Sequence, residues 1–172
     1  EPEKLELWMT EPFLTGTWRA DLAEMPAVDA LQALYAWESR GQGPETLIIA
    51  LEELASQLRI SPRNRLYAEI LLRLTGDNLT LIDRTIRDHL TNWSLNRLSV
   101  IDRNILRLGV TEMLYVDDVP PRVTIREMMH LAERYGTAES PRFVNGVLDA
   151  VMRCDGGNGV PVGVRAGGQE FI

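Results

Sequence analysis

Apolar residues recur every three to four positions from about residue 27 to residue 152, and this period decides what the chain can fold into. A repeat near 3.6 residues predicts amphipathic helices, because it places the apolar side chains on one face. The stripes contain Leu31 and Leu34, Leu47 to Leu58, Leu66 to Leu74, Leu79 to Leu90, Ile101 to Leu114, Ile125 to Tyr135, and Val144 to Val151. Faces this wide need partners, so we expect an all-α bundle of about seven helices without a convincing strand.

Capping residues predict where several of these helices begin. Ser99 is expected to cap a long helix, with Asp102 in its first turn. The stretch Asp117–Pro121 is predicted to be a loop. Thr124 and Glu127 have the spacing of a capping box for the helix that follows this loop.

The two ends of the chain lack the helical period. Residues 1–24 carry aromatic residues among Pro, Thr and Gly and are expected to form an N-terminal arm. Residues 154–172 are rich in Gly and Val and are expected to be a flexible tail. The sequence therefore predicts one helical domain over residues 25–153.

Composition excludes several classes of protein. The 172-residue chain has 25 acidic and 18 basic residues, a net charge of −7, which argues against broad nucleic-acid binding. A single cysteine, Cys154, leaves no internal disulfide, and His89 and His130 lack metal-ligand spacing. No apolar run approaches the roughly 20 residues of a membrane span, and the acidic N-terminus does not resemble a secretory signal. We expect a cytoplasmic protein without a membrane partner or a metal.

No motif indicates catalysis. The sequence contains no phosphate-binding glycine loop, no His-Glu-x-x-His and no nucleophile elbow, so we expect neither an enzyme nor a cofactor. The carboxylate pairs Glu52-Glu53 and Asp117-Asp118 are expected to lie on solvated surfaces. Met128 and Met129, at helical spacing with Ile125, are expected to be core residues.

Two groups of arginines leave two interpretations open. One group lies around a helix start: Arg97, Arg103 and Arg107. Arg134 and Arg142 flank the turn before the last helix. Each arginine could contact phosphate, or pair with a neighbouring acid among Asp102, Glu133 and Glu139. The excess of acidic residues favours pairing.

Several stretches of the chain resemble the NusB family. The string Phe-Val-Asn-Gly-Val-Leu-Asp, beginning at Phe143, is specific, and Leu31–Trp37 resembles the end of the family's first helix. The resemblance extends over roughly residues 27 to 152 and is carried mainly by Asn92–Gly109, Asp118–Glu127, Leu131–Gly136 and Ser140–Asp149.

The resemblance implies a fold of about seven helices in two packed subdomains and a role in transcription antitermination. In this family the partner is NusE, a small-subunit ribosomal protein, and the pair binds boxA RNA. The pair then acts within the antitermination complex of RNA polymerase, without catalysis. By position, the resemblance places Tyr35 and Asp102 on the NusE face, and Glu139, Phe143 and Asn145 next to the RNA.

One departure from the family bears on RNA binding. The first helix of NusB proteins usually opens with an Arg-rich run, but here the stretch from Ala23 to Ala27 is neutral and acidic and contains Pro26. Fewer phosphate contacts mean weaker binding, so we expect the isolated chain to bind boxA RNA weakly. Arg134 and Arg142, on either side of the turn before Phe143, remain as candidate RNA contacts.

Two alternatives to an antitermination factor stay open. The chain could be an interaction module with the NusB fold that has lost direct RNA binding. It could also resemble the NusB-like appendage of some ribosomal RNA methyltransferases, but that interpretation needs a parallel sheet with a Gly-rich turn, which the sequence does not contain.

Overall fold

The computed structural model describes residues 26–57, 60, 62–117 and 119–155, and in these ranges the chain forms seven α-helices and no strand. The helices are α1 (Pro26–Arg40), α2 (Leu47–Gln57), α3 (Pro62–Asp77), α4 (Leu79–Asp88), α5 (Val100–Tyr115), α6 (Pro121–Tyr135) and α7 (Ser140–Asp155). Two short 3-10 turns, Pro44–Thr46 and Leu95–Arg97, precede α2 and α5. The all-α prediction is confirmed, whereas the predicted arm and residues 156–172 of the predicted tail lie outside the described residues.

Helix α5 lies at the centre of the fold. It packs against α1, α3, α4, α6 and α7. Every residue from Asn104 to Glu112 is buried, so this helix has no solvated face over two turns. Helices α1, α2 and α3 pack on one another, as do α5, α6 and α7, and α5 joins the two groups. This arrangement matches the two packed subdomains that the resemblance implied.

The crossing of α5 with the last two helices requires a glycine. A Cβ atom on Gly109 would lie 2.8 Å from Leu148 Cδ1 and 3.2 Å from Met128 Cγ. These distances are shorter than ordinary van der Waals contacts, so the backbone of α5 approaches α6 and α7 closely. Met128 is fully buried here and Met129 packs partly buried on the core, which confirms their predicted core role.

One predicted helix start is confirmed and another is wrong. Ser99 Oγ accepts a hydrogen bond from the Asp102 amide at 3.1 Å and caps α5 as expected. Helix α6 begins at Pro121, however, so Thr124 and Glu127 lie inside the helix and form no capping box. Proline suits a first helical turn because its φ is already helical and its missing N–H costs no hydrogen bond there.

The turn between α1 and α2 is stabilised by a side chain of α1. Gly41 has a φ of 63°, which is in the left-handed region that favours glycine. The indole Nε1 of Trp37 then donates to the carbonyl oxygen of Gly43 at 2.8 Å. The glycine conformation and this hydrogen bond together direct the chain from α1 toward α2.

Among the described residues, no helix has the length and apolar character needed to cross a membrane.

Candidate partner and RNA interface

Tyr35 and Asp102, predicted to bind a protein partner, lie on two helices that pack together. Tyr35 on α1 keeps 48% of its surface exposed. Asp102 lies in the first turn of α5 and is partly buried. Its Oδ1 atom is buried and, within the described part of the chain, accepts no hydrogen bond. A buried carboxylate oxygen without a donor is costly, so it favours a partner that supplies one.

Asp102 also lines a groove between the start of α5 and the turn that joins α6 to α7. The groove has a volume of about 280 Å³. The indole of Trp93, 60% exposed, is part of its lining. We refer to it as the α5 groove, and its lining residues are Trp93, Arg97, Leu98, Ser99, Asp102, Thr137, Glu139, Ser140 and Phe143.

The α5 groove unites residues that sequence reasoning assigned to two different partners. Asp102 was predicted to face a protein, whereas Glu139 and Phe143 were predicted to lie near RNA. Ser140 Oγ accepts a hydrogen bond from the Thr137 amide at 2.9 Å, which fixes the turn that carries Glu139. The structure therefore places parts of both predicted sites on one continuous surface.

The remaining predicted RNA residues lie on or beside α7. Arg142 and Asn145 are exposed, and Phe143 is partly buried against the core. Arg134, at the end of α6, is exposed and lies 5.6 Å from the centroid of the Tyr135 ring. Within the described residues neither Arg134 nor Arg142 forms an ion pair, so both guanidinium groups are available to an anion.

The arginines of α5 behave differently from these two. Arg103 forms an ion pair with Glu38, and Arg107 pairs with both Asp83 and Glu38. Pairing was the favoured interpretation, but the partners are not the predicted neighbour Asp102. They come from α1 and α4, 24 to 69 residues away, where a local sequence pattern gives no signal.

Sequence reasoning also missed a buried carboxylate. Glu112 on α5 is fully buried and accepts hydrogen bonds from Tyr67 Oη at 2.6 Å and Thr124 Oγ1 at 2.7 Å. Burial raises the pKa of Glu112, although these two hydrogen bonds oppose the shift. Burial raises the pKa of Glu127 well above its ordinary value, and the charge of Glu112 adds to that effect. The available signal was an acid in the middle of an apolar helix.

The solvated carboxylates are where they were expected. Glu52, Glu53 and Asp117 are exposed, and Glu53 pairs with Arg40 at the surface. Asp118 lies outside the described residues. In the part of the chain that the structure describes, no group of three or more potential metal ligands comes together.

A comparison with known sequences matches this chain to characterised proteins. The model of the NusB family matches residues 28–153. The transcription antitermination protein NusB of Chloroherpeton thalassium is 38% identical over 123 residues, which make up 70% of this chain and 56% of that protein. The chain thus spans little more than half the length of this relative.

Solved structures give the same result. NusB of T. maritima superposes with a TM-score of 0.67 at 39% identity, over 74% of this chain and 88% of that chain. A chain from the crystal structure of antitermination factors NusB and NusE in complex with dsRNA gives a TM-score of 0.68 at 29% identity, over 77% of this chain and 97% of that chain. The resemblance noted in the sequence is confirmed, and the chain belongs to the NusB family.

Proposed function

We propose that this protein is a transcription antitermination factor that binds a NusE-type ribosomal protein and boxA-type RNA within an antitermination complex of RNA polymerase. Family membership supports this role, as does the similarity to a chain from a crystal structure of NusB and NusE with dsRNA. The observation that carries the proposal is the α5 groove, which joins Asp102 to Glu139 and Phe143 on one surface.

The protein-binding side is centred on Tyr35 and Asp102. A half-exposed tyrosine offers a large apolar ring with a polar tip, which is a common anchor in protein interfaces. The carboxylate of Asp102 lacks a donor for its buried oxygen and so suits a basic side chain. The net charge of −7 also favours association with a basic ribosomal protein.

The RNA-binding side extends from the groove along α7. Phe143 can stack on a base, Asn145 can hydrogen-bond to a base edge, and Arg142 and Arg134 can contact phosphates. Two arginines supply little electrostatic affinity for a polyanion. The protein therefore binds RNA weakly alone and tightly only when a basic partner contributes further charge. This role is binding and needs no cofactor.

One observation favours the alternative function, that of an interaction module without RNA binding. Helix α1 begins at Pro26, directly after an acidic and neutral stretch rather than an Arg-rich one. An RNA backbone near that end of α1 would meet no basic side chain in the first turn of the helix, which contains Asp29.

A titration separates these functions. Fluorescently labelled boxA RNA is titrated with this protein alone and with an equimolar NusE-type protein, at two salt concentrations. We expect this protein alone to bind the RNA weakly. With the partner, the affinity for RNA should rise at least about a hundredfold, and the rise should be larger at the lower salt concentration. Binding of the partner without any RNA binding would support the alternative function, an interaction module. Binding of neither would refute both.

A further inference from the structure

We infer that Arg103 is a positioning residue that ties the helix carrying Tyr35 to the wall of the α5 groove. Its effect on partner binding rests on the proposed function, whereas its effect on the geometry of the groove does not.

The guanidinium of Arg103 bridges two separate pieces of chain. Its Nε donates to Glu38 Oε1 on α1 at 2.7 Å, and its Nη2 contacts the same carboxylate. Its Nη1 donates to the carbonyl oxygens of Leu95 at 3.2 Å and Leu98 at 3.1 Å. The side chain is only 12% exposed, so its charge depends on these acceptors rather than on water.

Both ends of this bridge lie beside predicted partner residues. Glu38 follows Tyr35 by three residues, which is nearly one helical turn, so the two are neighbours on α1. Leu95 and Leu98 bracket the segment before α5, and Leu98 lines the groove. Asp102 directly precedes Arg103 in the chain. A movement of this guanidinium therefore changes the position of the groove wall relative to Tyr35.

The other partners of Glu38 provide a fixed anchor. Asn104 Nδ2 donates to Glu38 Oε2 at 2.9 Å, and Arg107 Nη1 donates to the same oxygen at 3.3 Å. Arg107 is in turn held by Asp83. Of the three α5 side chains that bind Glu38, only Arg103 also binds the segment before α5 in the described structure. The anchor can therefore persist while the groove wall is released.

Arg103→Lys separates positioning from charge. Lysine keeps the positive charge, but a single ammonium group cannot span a carboxylate and two carbonyl oxygens as the planar guanidinium does. The matched control is Arg73→Lys, because Arg73 also pairs with a glutamate, Glu69, but on an exposed helix surface. Circular dichroism melting establishes a temperature at which all variants are fully folded.

The first measurement needs no partner. The full chain is labelled with 5-fluorotryptophan, and the fluorine resonance of Trp93 is assigned with Trp93→Phe. We expect Arg103→Lys to shift or broaden the Trp93 signal while the signal of buried Trp37 stays unchanged, and Arg73→Lys to change neither. General destabilisation would not change the fluorine resonance of Trp93 alone in a sample that stays folded. An unchanged Trp93 resonance in Arg103→Lys would overturn the inference.

The second measurement is calorimetric binding of a NusE-type protein. We expect Arg103→Lys to weaken binding about threefold to tenfold, as for the loss of one or two hydrogen bonds. If Arg103 acts by placing Asp102, Arg103→Lys adds no further loss in an Asp102→Asn background. Fully additive losses would contradict the inference. If the unmodified protein fails to bind, the proposed function is wrong, and the fluorine signal still decides the positioning role.

Discussion

Arg107 and Asp83 form a buried, bidentate ion pair that fixes α5 against α4. The Nε atom of Arg107 lies 2.8 Å from Asp83 Oδ1, and Nη2 lies 3.0 Å from Oδ2. Arg107 is 7% exposed and Asp83 is 9% exposed, so water contributes little to either charge. Separating the two side chains would therefore leave unpaired charges between α4 and α5.

Replacing one partner of this pair should be severe. Arg107→Met leaves Asp83 without the cation that neutralises it and removes one of the two arginines that pair with Glu38, so we expect a loss of about 3–5 kcal/mol in the free energy of unfolding. Urea denaturation measures it. Arg73→Met, at an exposed pair, should cost less than about 1 kcal/mol. A loss below about 1 kcal/mol for Arg107→Met would show that the pair contributes little.

Two glycines should respond in opposite directions to alanine. At Gly109 a Cβ would lie 2.8 Å from Leu148 Cδ1, so Gly109→Ala should destabilise by about 1–3 kcal/mol. At Gly146, an exposed position of α7, a Cβ would meet nothing within 4 Å, so Gly146→Ala should stabilise by about 0.5–1 kcal/mol through helix propensity. Thermal and urea unfolding test both. Equal effects at the two positions would contradict the close packing at Gly109.

The features that could be predicted from the sequence are local. The amide of Asp102 is three residues from the Ser99 hydroxyl that caps it, so the motif is visible in the chain. The acceptor of Thr124 Oγ1 is Glu112, on a different helix, which no capping pattern reveals. Helix periods and the Ser99 cap follow from neighbouring residues, whereas side-chain pairs between helices follow from packing.

The candidate site shows the same division. Tyr35, Asp102 and Phe143 were selected by resemblance, and their roles stay predictions. The α5 groove was not foreseen, because Asp102 and Phe143 are far apart in the chain and meet only after α5 and α7 have packed. The two arginine groups likewise looked equivalent in sequence, but in the described structure Arg103 and Arg107 of α5 pair with acids of α1 and α4, whereas Arg134 and Arg142 form no ion pair.

The contribution of Glu127 to stability should fall as the pH rises from acid toward neutral. Burial, together with the charge of Glu112, raises the pKa of Glu127, so the folded protein holds that proton more tightly than the unfolded chain. The resulting stabilisation is complete below the unfolded value of 4.5 and is lost as the pH rises through the raised pKa. A tenfold difference in proton affinity between the folded and unfolded chains corresponds to about 1.4 kcal/mol of stability.

Glu127→Gln tests this pH dependence. The amide stays neutral, so the variant should be more stable than the unmodified protein at pH 8 and should depend less on pH between 5 and 8. Urea unfolding at several pH values measures both properties. Glu52→Gln, at an exposed position, is the control and should leave the profile unchanged. A profile of Glu127→Gln that parallels the unmodified protein would contradict the assignment.

Charge reversal at the predicted protein face should weaken partner binding. Asp102→Lys places a cation where we propose a basic partner, and we expect a loss of about 1–3 kcal/mol in binding free energy. Calorimetry with a NusE-type protein measures it, and circular dichroism checks the fold. Glu52→Lys, an equal change of charge at an exposed position of α2, should have little effect. Equal losses for both variants would indicate only a long-range effect of net charge.

The RNA side should depend on the arginines outside the core. Arg142→Ala should lower the salt dependence of RNA binding by about one unit, as expected for one lost phosphate contact. The RNA is titrated with the complex of this protein and its partner at several salt concentrations. Arg73→Ala, on α3, serves as the control. Tight binding by the isolated chain with a steep salt dependence would contradict the prediction that Arg134 and Arg142 are its main phosphate contacts.

The contacts of Glu38 also set an order for folding during synthesis. Its hydrogen-bond partners Arg103, Asn104 and Arg107 come 65 to 69 residues later in the chain. A nascent chain that ends before α5 carries α1 to α4 but leaves this carboxylate without those partners. The packing of the N-terminal helices around Glu38 is therefore completed only when α5 has left the ribosome.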